Sequence, residues 1–404
     1  MAWAESTQPD FSANYAQIYQ IRVASNRAGS KSSIGSGFQV SADGLVITNY
    51  HVIADFVQAP SQNKLQYRAH DGTLGALRVL NFDVIHDLAL LQLDEPASDY
   101  FELAAPQVPL SDDQLSETKG QLIYALGNPR DFGVTLVQGF NNGLVEHSYD
   151  EQLLFSGSLN PGMSGGPALD AEGKVFGVNV ATAGSQLSFL VPVSKVRALL
   201  AKQSALVSDD FQTEIATQIK NWQRPRLKGL IESMWPTEPF AERALFGEIR
   251  NDFQCWGDAN DDDPNREIDY ISKGCQAANS AYLSNRLSAG QIVFSFEQQK
   301  SLKLNAAQFA NSLSSGMRAD NSANYEHTTN YQCHVDFVEG GAPNTYRRVS
   351  TCIRAYKKLD GLFDSLLSVQ EISDTSSFVA HLSIASAEQD QIQQMNAKFM
   401  ERSL

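Results

Sequence analysis

From Tyr15 to about Val193 the chain alternates short apolar runs with turn-forming residues. The runs "AQIYQIRV", "GSGFQV", "GLVITNYHVI", "LQYRAH", "LRVLNF", "LALLQL", "QLIYALG", "TLVQGFNNGLVEH", "QLLFSG", "VFGVNVAT" and "LSFLVPV" are each of strand length, and "ADG", "HDG", "NNG" and "AEG" mark turns between them. Many short strands with little helix predict a sandwich or a pair of barrels. From Ser194 the period becomes helical. "SKVRALLAKQSAL" opens on a serine able to cap a first turn, and "DDFQTEIATQIKNWQ" is helical up to Pro225, which is expected to end or kink it. Further on, the helical stretches "KGLIESMW" and "AAQFANSLSSGM" and a polar cysteine loop precede four strand-like runs, "YQCHVDF", "RRVSTCIRAYKKL", "LFDSLLSVQEI" and "SFVAHLSIA". "AEQDQIQQMNAKFMERSL" closes the chain as a helix. The pattern divides the chain into an N-terminal extension (1–14), a β domain (15–200), a helical linker (201–235) and an α+β domain (236–404).

At 404 residues, two or three domains are the natural expectation, and 42% hydrophobic residues with 9% aromatics supply packed cores. A formal net charge of −15 argues against nucleic acid or anionic membrane as partner, since both reward lysine and arginine. No run approaches the roughly 18 apolar residues of a membrane span. The opening "MAWAESTQPD" lacks a basic segment followed by an apolar one, so no secretory signal is expected there.

All four cysteines, Cys255, Cys275, Cys333 and Cys352, lie in the second half. No C-x-x-C or histidine cluster accompanies them, so zinc is not expected. Of three connectivities the local one is favoured, Cys255–Cys275 and Cys333–Cys352; four free thiols are the alternative. Disulfides imply an oxidising compartment such as periplasm or medium. "DANDDDPNREID" sets Asp258, Asn260, Asp262 and Asp269 at positions 1, 3, 5 and 12 of a calcium-type loop, although Asp263 stands where such loops need glycine and Pro264 follows. The expectation is no cofactor, with calcium at this loop as the alternative.

The chemistry centres on "LNPGMSGGPALD", where glycines and prolines crowd around Ser164. Acyl transfer by serine needs a hydroxyl, an imidazole, a carboxylate to orient it and backbone donors for the oxyanion. His51 ends the run "GLVITNYHVI", Asp87 precedes the strand "LALLQL", and Gly162 lets the backbone turn so that the amides of Gly162 and Ser164 point inward. His86 is a rival base; Asp83 and Asp94 are rival carboxylates.

"GSGFQVSADGLVITNYHVI", "HDLALLQL", "ALGNPRDFGVTLVQG", "LNPGMSGGPALD" and "VFGVNVATAGSQLSFLVPVS" follow one another as in trypsin-like serine endopeptidases, and the chain resembles their bacterial HtrA/Deg-type branch over residues 15 to 200. The resemblance implies two six-stranded β-barrels, with Ser164 as nucleophile, His51 as general base and then acid, Asp87 orienting His51, and Gly162 and Ser164 as oxyanion hole. It also implies a specificity pocket with Ser158 at its base and walls from Asn179, Val180, Ala181, Thr182, Ser188 and Leu190. A neutral Ser158 removes the reason to prefer lysine or arginine, so cleavage after small or medium apolar residues is expected. The chain departs from the digestive enzymes in carrying Met163 before the serine, which removes activation by a cut N-terminus. It departs from the HtrA type in showing no recognisable PDZ domain. The expected function is a bacterial serine endopeptidase, periplasmic or secreted, that hydrolyses proteins or peptides through an acyl-enzyme. The alternative is a binding or assembly protein on a protease scaffold, its C-terminal domain docking a protein partner.

Overall fold

The computed structural model describes residues 10–27, 31–105, 118–129, 133–184, 187–202, 210–313, 326–339 and 346–403, without the side chains of 31–32, 181–184 and 346. The chain divides into two compact units, Met1–Glu146 with Asp150–Phe211 and Tyr282–Ser284, and His147–Tyr149 with Gln212–Ala281 and Asn285–Leu404. Among the described residues no helix is long and apolar enough to cross a membrane.

The first unit contains two closed barrels of six antiparallel strands each. The first barrel consists of β1 (Ile18–Ser25), β2 (Lys31–Gln39), β3 (Leu45–Thr48), β4 (Asn63–Arg68), β5 (Leu74–Asp83) and β6 (Leu88–Leu93), in the order β1-β2-β3-β6-β5-β4. The second consists of β7 (Leu122–Gly127), β8 (Thr135–Leu144), β9 (Leu153–Phe155), β10 (Pro167–Leu169), β11 (Val175–Gly184) and β12 (Leu187–Pro192), in the order β10-β11-β12-β9-β8-β7. One apolar cluster runs through both barrels, joining Ile18, Phe38, Ile47 and Leu90 to Leu126, Leu169, Val178 and Val191. A second fills the other barrel around Phe155, Met163 and Phe176. Phe11 is buried in the first cluster, 5.0 Å from the Tyr124 ring, so the packed unit begins ahead of Tyr15.

Two local expectations change. "GLVITNYHVI" is β3 followed by the helix α1 (Tyr50–Gln58), whose buried face is Tyr50, Val52, Ile53, Ala54 and Val57. A continuous apolar run does not by itself separate strand from helix. "NNG" is not a turn. β8 runs through it, with a register shift between Asn141 and Leu144 that marks a bulge.

After the barrels come α2 (Val193–Ala201), capped at Pro192 without a side-chain bond, and α3 (Phe211–Glu232). Pro225 lies inside α3 and does not end it, although proline removes one backbone donor from the helix. The second unit holds the hairpin β13 (Thr237–Phe240) and β14 (Arg243–Phe246) and most of the remaining strands: β15 (Phe253–Ala259), β16 (Ile268–Ala277), β17 (Ala281–Ser284, its last three residues in the first unit), β18 (Leu287–Ala289), β19 (Ile292–Ser301), β20 (Gln332–Glu339), β21 (Tyr346–Ala355), β22 (Phe363–Ile372) and β23 (Ser376–Ala387). Seven of them form one antiparallel sheet in the order β15-β16-β19-β23-β22-β21-β20. The short α4 (Ala306–Ser312) starts with a capping box from Asn305 and Gln308, and α5 (Gln389–Ser403) ends the chain. α5 buries Ile392, Met395 and Phe399, spaced to share one helix face, in the core with Phe294, Phe296 and Leu382; the Phe296 and Phe399 rings stack at 6.0 Å.

The polar cysteine loop is a hairpin. Cys255 on β15 faces Cys275 on β16, and Cys333 on β20 faces Cys352 on β21; both pairs are disulfides, with Cα separations of 4.1 and 4.0 Å. Each bridge ties an edge strand to its neighbour, where the backbone lacks a second partner. Closing loops of 20 and 19 residues stabilises by roughly 3 kcal/mol each in the chain-entropy account. Replacing both cysteines of either pair by serine should therefore lower the unfolding free energy of the second unit by that amount, read as a fall in its guanidinium midpoint. An unchanged midpoint would show the bridges to be thermodynamically idle.

Candidate active site

The two barrels of the first unit are hydrogen-bonded to each other, and Ser36 is the fastening. Fully buried on β2, it donates its amide to the Ser164 carbonyl at 2.7 Å and its hydroxyl to the Gly162 carbonyl at 2.7 Å. The same hydroxyl accepts the Asn128 amide at 2.8 Å, while the Ser36 carbonyl accepts from the Thr48 hydroxyl at 2.6 Å. One small residue thus locks the Gly162–Ser164 loop of the second barrel to the barrel that carries His51 and Asp87, through its backbone amide and its hydroxyl. Sequence reading passes over it, because its partners in that loop are backbone atoms 126 and 128 residues away.

His51 lies in the first turn of α1, where helix amides lack intrahelical acceptors. The Asp87 carboxylate supplies one: Oδ1 accepts the His51 amide at 2.8 Å, and Oδ2 meets His51 Nδ1 at 2.6 Å. A carboxylate at a helix N-terminus is also favoured by the helix dipole. Both oxygens therefore hold one residue. Donation from Nδ1 leaves Nε2 as the lone-pair nitrogen. Burial lowers the proton affinity of His51, but the charge and hydrogen bond of Asp87 outweigh it, and the net shift is upward from 6.5.

The backbone of Asp87 is in the left-handed region, φ 53°, an uncommon conformation for a residue with a side chain. Asn49 holds it there, donating Nδ2 to the Asp87 carbonyl at 2.8 Å. Asn49 occupies the N-cap position of α1 yet makes no side-chain cap: its Nδ2 donates to Asp87, and its buried Oδ1 has no partner among the described residues. N-cap asparagine usually serves its own helix, so this role is not legible from sequence.

Ser164 follows Gly162, which adopts φ 98°. The Ser164 hydroxyl donates to the Val180 carbonyl at 2.7 Å, and among the described residues it shares no hydrogen bond with His51. The intervening Met163 amide is used, donating to the Asn160 carbonyl at 3.0 Å. The amides of Gly162 and Ser164 have no acceptor among the described residues. Residues 35–178 match the family model described as the trypsin-like peptidase domain.

Over that stretch the chain resembles a trypsin-like peptidase domain. Among curated proteins this domain is similar to Protease Do-like 1, chloroplastic, of Arabidopsis thaliana, with 33% identity over 175 residues, 40% of this chain and 37% of that protein. It is also similar to a probable periplasmic serine endoprotease DegP-like of Chlamydia muridarum, 29% identical over 182 residues, 43% of this chain and 34% of that protein. The chain thus spans little more than a third of the length of these relatives. A solved serine endoprotease from Yersinia pestis aligns at 22% identity and a TM-score of 0.40, over 48% of this chain and 65% of the other.

Elsewhere in the peptidase domain the rival groups are engaged. Asp83 accepts the amides of Ile85 and His86, each at 3.0 Å, and binds His86 Nδ1 at 2.8 Å; Asp94 is exposed at the end of β6. Met163 is wholly buried in the second barrel, which is packing work rather than charge pairing.

The expected pocket residues are placed differently from one another. Ser158 is exposed, so it floors no buried pocket. Leu190 is a core residue packed with Phe155 and Phe176 and leaves the pocket wall. Ser188 is buried and spent, donating to the Gly157 carbonyl at 2.7 Å and accepting the Leu159 amide at 3.3 Å. Asn179 is buried too, with Nδ2 on the carbonyls of Leu126 at 2.8 Å and Met163 at 3.3 Å. Val180 remains beside the serine through its carbonyl. The side chains of Ala181 and Thr182 lie outside the described residues.

The structure places the calcium-type loop in the second unit between two strands. Residues 260–267 join β15 to β16. The Asn260 side chain closes that turn, accepting the Tyr270 amide and donating to the Ile268 carbonyl, each at 2.9 Å, and Asp269 pairs with Arg266 at 3.0 Å. Among the described residues no three of His, Cys, Asp and Glu, Asp258 and Asp262 included, gather as a metal set.

Proposed function

We propose that the chain is a serine endopeptidase acting on protein or peptide substrates in an oxidising compartment such as the periplasm or the medium. The observation that carries the proposal is the doubly held Asp87–His51 pair in a trypsin-like peptidase domain whose Ser164 is flanked by two unspent amides. The Ser164 oxygen attacks the scissile carbonyl and forms the acyl bond, its proton passing to Nε2 of His51. The imidazolium is stabilised by Asp87 and returns that proton to the leaving amine as the C–N bond breaks. A water then repeats the cycle, releasing the acid and restoring the hydroxyl. The Gly162 and Ser164 amides hold the oxyanion in both halves. The serine has first to turn away from the Val180 carbonyl; catalytic hydrogen bonds are often loose before substrate binds. The two disulfides support the oxidising compartment, and one similar protein is described as periplasmic.

Specificity for small or medium apolar residues belongs to the same proposal. Digestion of a denatured, alkylated protein with the products mapped by mass spectrometry tests both parts. Cuts confined to Arg or Lys would sink the specificity, and an intact substrate would sink the activity.

The pH profile follows from His51. Only the neutral imidazole can take the serine proton, and Asp87 favours the charged form. So kcat/KM should be full at alkaline pH and fall as pH drops through a value above the ordinary 6.5. An acid limb centred below 6.5 would contradict the Asp87 pairing.

A further inference from the structure

The first unit includes a segment far beyond the last barrel strand in sequence, Tyr282–Ser284. It is fastened to α1. The carbonyl of the fully buried Leu283 accepts from Gln58 Nε2 at 3.2 Å and from the Tyr50 hydroxyl at 3.4 Å. Tyr50 and Gln58 are the first and last residues of the helix that carries His51, and Tyr50 is itself wholly buried with its ring 5.5 Å from that of Phe82. So anchored, the half-buried Tyr282 sets its ring 6.1 Å from the imidazole of His51 at an interplanar angle of 80°. That is the edge-to-face arrangement aromatic pairs favour. Burial, followed by the charges of Asp55 and Asp87, raises the proton affinity of its phenol.

We infer that Tyr282 is a positioning residue for the general base, its ring limiting the swing of the His51 imidazole about its bond to Asp87. The geometry explains why a second support has work to do. The Nδ1 contact fixes one edge of the imidazole, and a single hydrogen bond leaves the ring free to tilt about it. An aromatic wall alongside narrows that tilt and keeps Nε2 available to one direction. The role belongs to the ring rather than the hydroxyl. It also makes residues 15–200, which carry all the recognisable peptidase motifs, an incomplete catalytic unit. The inference rests on the proposed role of His51 as base.

The test uses the full chain with Tyr282→Phe and Tyr282→Ala. Two readouts are compared with the parent: the second-order rate of Ser164 phosphonylation by a fluorophosphonate, and the low-field proton resonance expected of the short Nδ1–H bond to Asp87. Tyr282→Phe should stay within about twofold of the parent in rate and keep the resonance. Tyr282→Ala should react roughly tenfold more slowly, an effect of the size of one aromatic pair, and should broaden or shift the resonance. Should Tyr282→Ala not fold, Tyr282→Leu, apolar but without a ring, carries the same comparison. The inference is overturned if the ring-less variant matches the parent in both readouts, or if Tyr282→Phe loses as much as Tyr282→Ala. A parent that fails to label would count against the endopeptidase proposal, whereas the resonance would still report whether the ring holds His51.

Discussion

Ser164→Ala is expected to lower kcat by about a million-fold on any substrate the chain cleaves, the scale on which serine proteases lose a nucleophile. The remaining turnover, roughly a thousand-fold or more above water alone, would come from the oxyanion donors and substrate binding. The fold should not suffer. Among the described residues the Ser164 hydroxyl has a single bond, to the Val180 carbonyl, and is only half-buried, whereas the backbone of Ser164 carries the link to Ser36. The variant should thus melt within a degree or two of the parent and bind substrate with similar affinity. A variant retaining more than about a thousandth of parent activity would mean that another group is the nucleophile, and the mechanism would have to be rebuilt.

Gly165→Ala should be a severely damaging conservative change in the first unit. Gly165 has φ 84°, where a side chain is strained, and a Cβ there would overlap the Ser36 carbonyl and the Thr48 hydroxyl and stand 2.9 Å from the Asn49 amide. All three neighbours lie between β2 and the start of α1, in the part of the chain that builds the first barrel, and two are backbone atoms that cannot rotate away. Left-handed strain and overpacking each cost about 1 to 3 kcal/mol. Together they should destabilise the unit by roughly 3 to 5 kcal/mol, readable as a fall in its unfolding midpoint. The loop must also shift by a fraction of an ångström or more beside the nucleophile, and such displacements cost on the order of a hundred-fold in rate. If Gly165→Ala leaves both stability and activity intact, the close packing of the two barrels around this loop is not what holds the site together.

Much of this site is legible in sequence where the chemistry is local. "LALLQL" falls on β6 with no error, because alternating turns bracket it and its burial is nearly continuous. The cysteine pairing is legible because each partner lies one hairpin away, and the register places the two residues opposite each other. The three-residue β10, "PAL", is hidden by the glycines and proline that precede it. The helix under His51 is hidden because "NYHVIADFVQ" is apolar enough to suit either period.

The supporting residues are not legible at all, for a different reason. Ser36, Asn49 and Tyr282 act by touching backbone or rings brought near only by the finished fold. Nothing in the local pattern around them distinguishes them from an ordinary small, capping or aromatic residue. The pocket expectations fail similarly. Ser188, Leu190 and Asn179 stand in the expected strands, but their side chains bond or pack within the second barrel. The strand positions are right, and the direction each side chain takes is settled by barrel packing.

The most direct measurement of the central claim is covalent trapping of the nucleophile. The full chain is incubated with a fluorophosphonate at neutral to mildly alkaline pH, and the adduct is mapped by peptide mass spectrometry, with chain unfolded in guanidinium as the comparison. A single adduct on Ser164, absent from the unfolded chain, is the predicted result, since an ordinary serine hydroxyl is inert without its base and oxyanion donors. No adduct on Ser164, or equal labelling of folded and unfolded chain, would contradict the assembly of Ser164, His51 and Asp87 into one catalytic site.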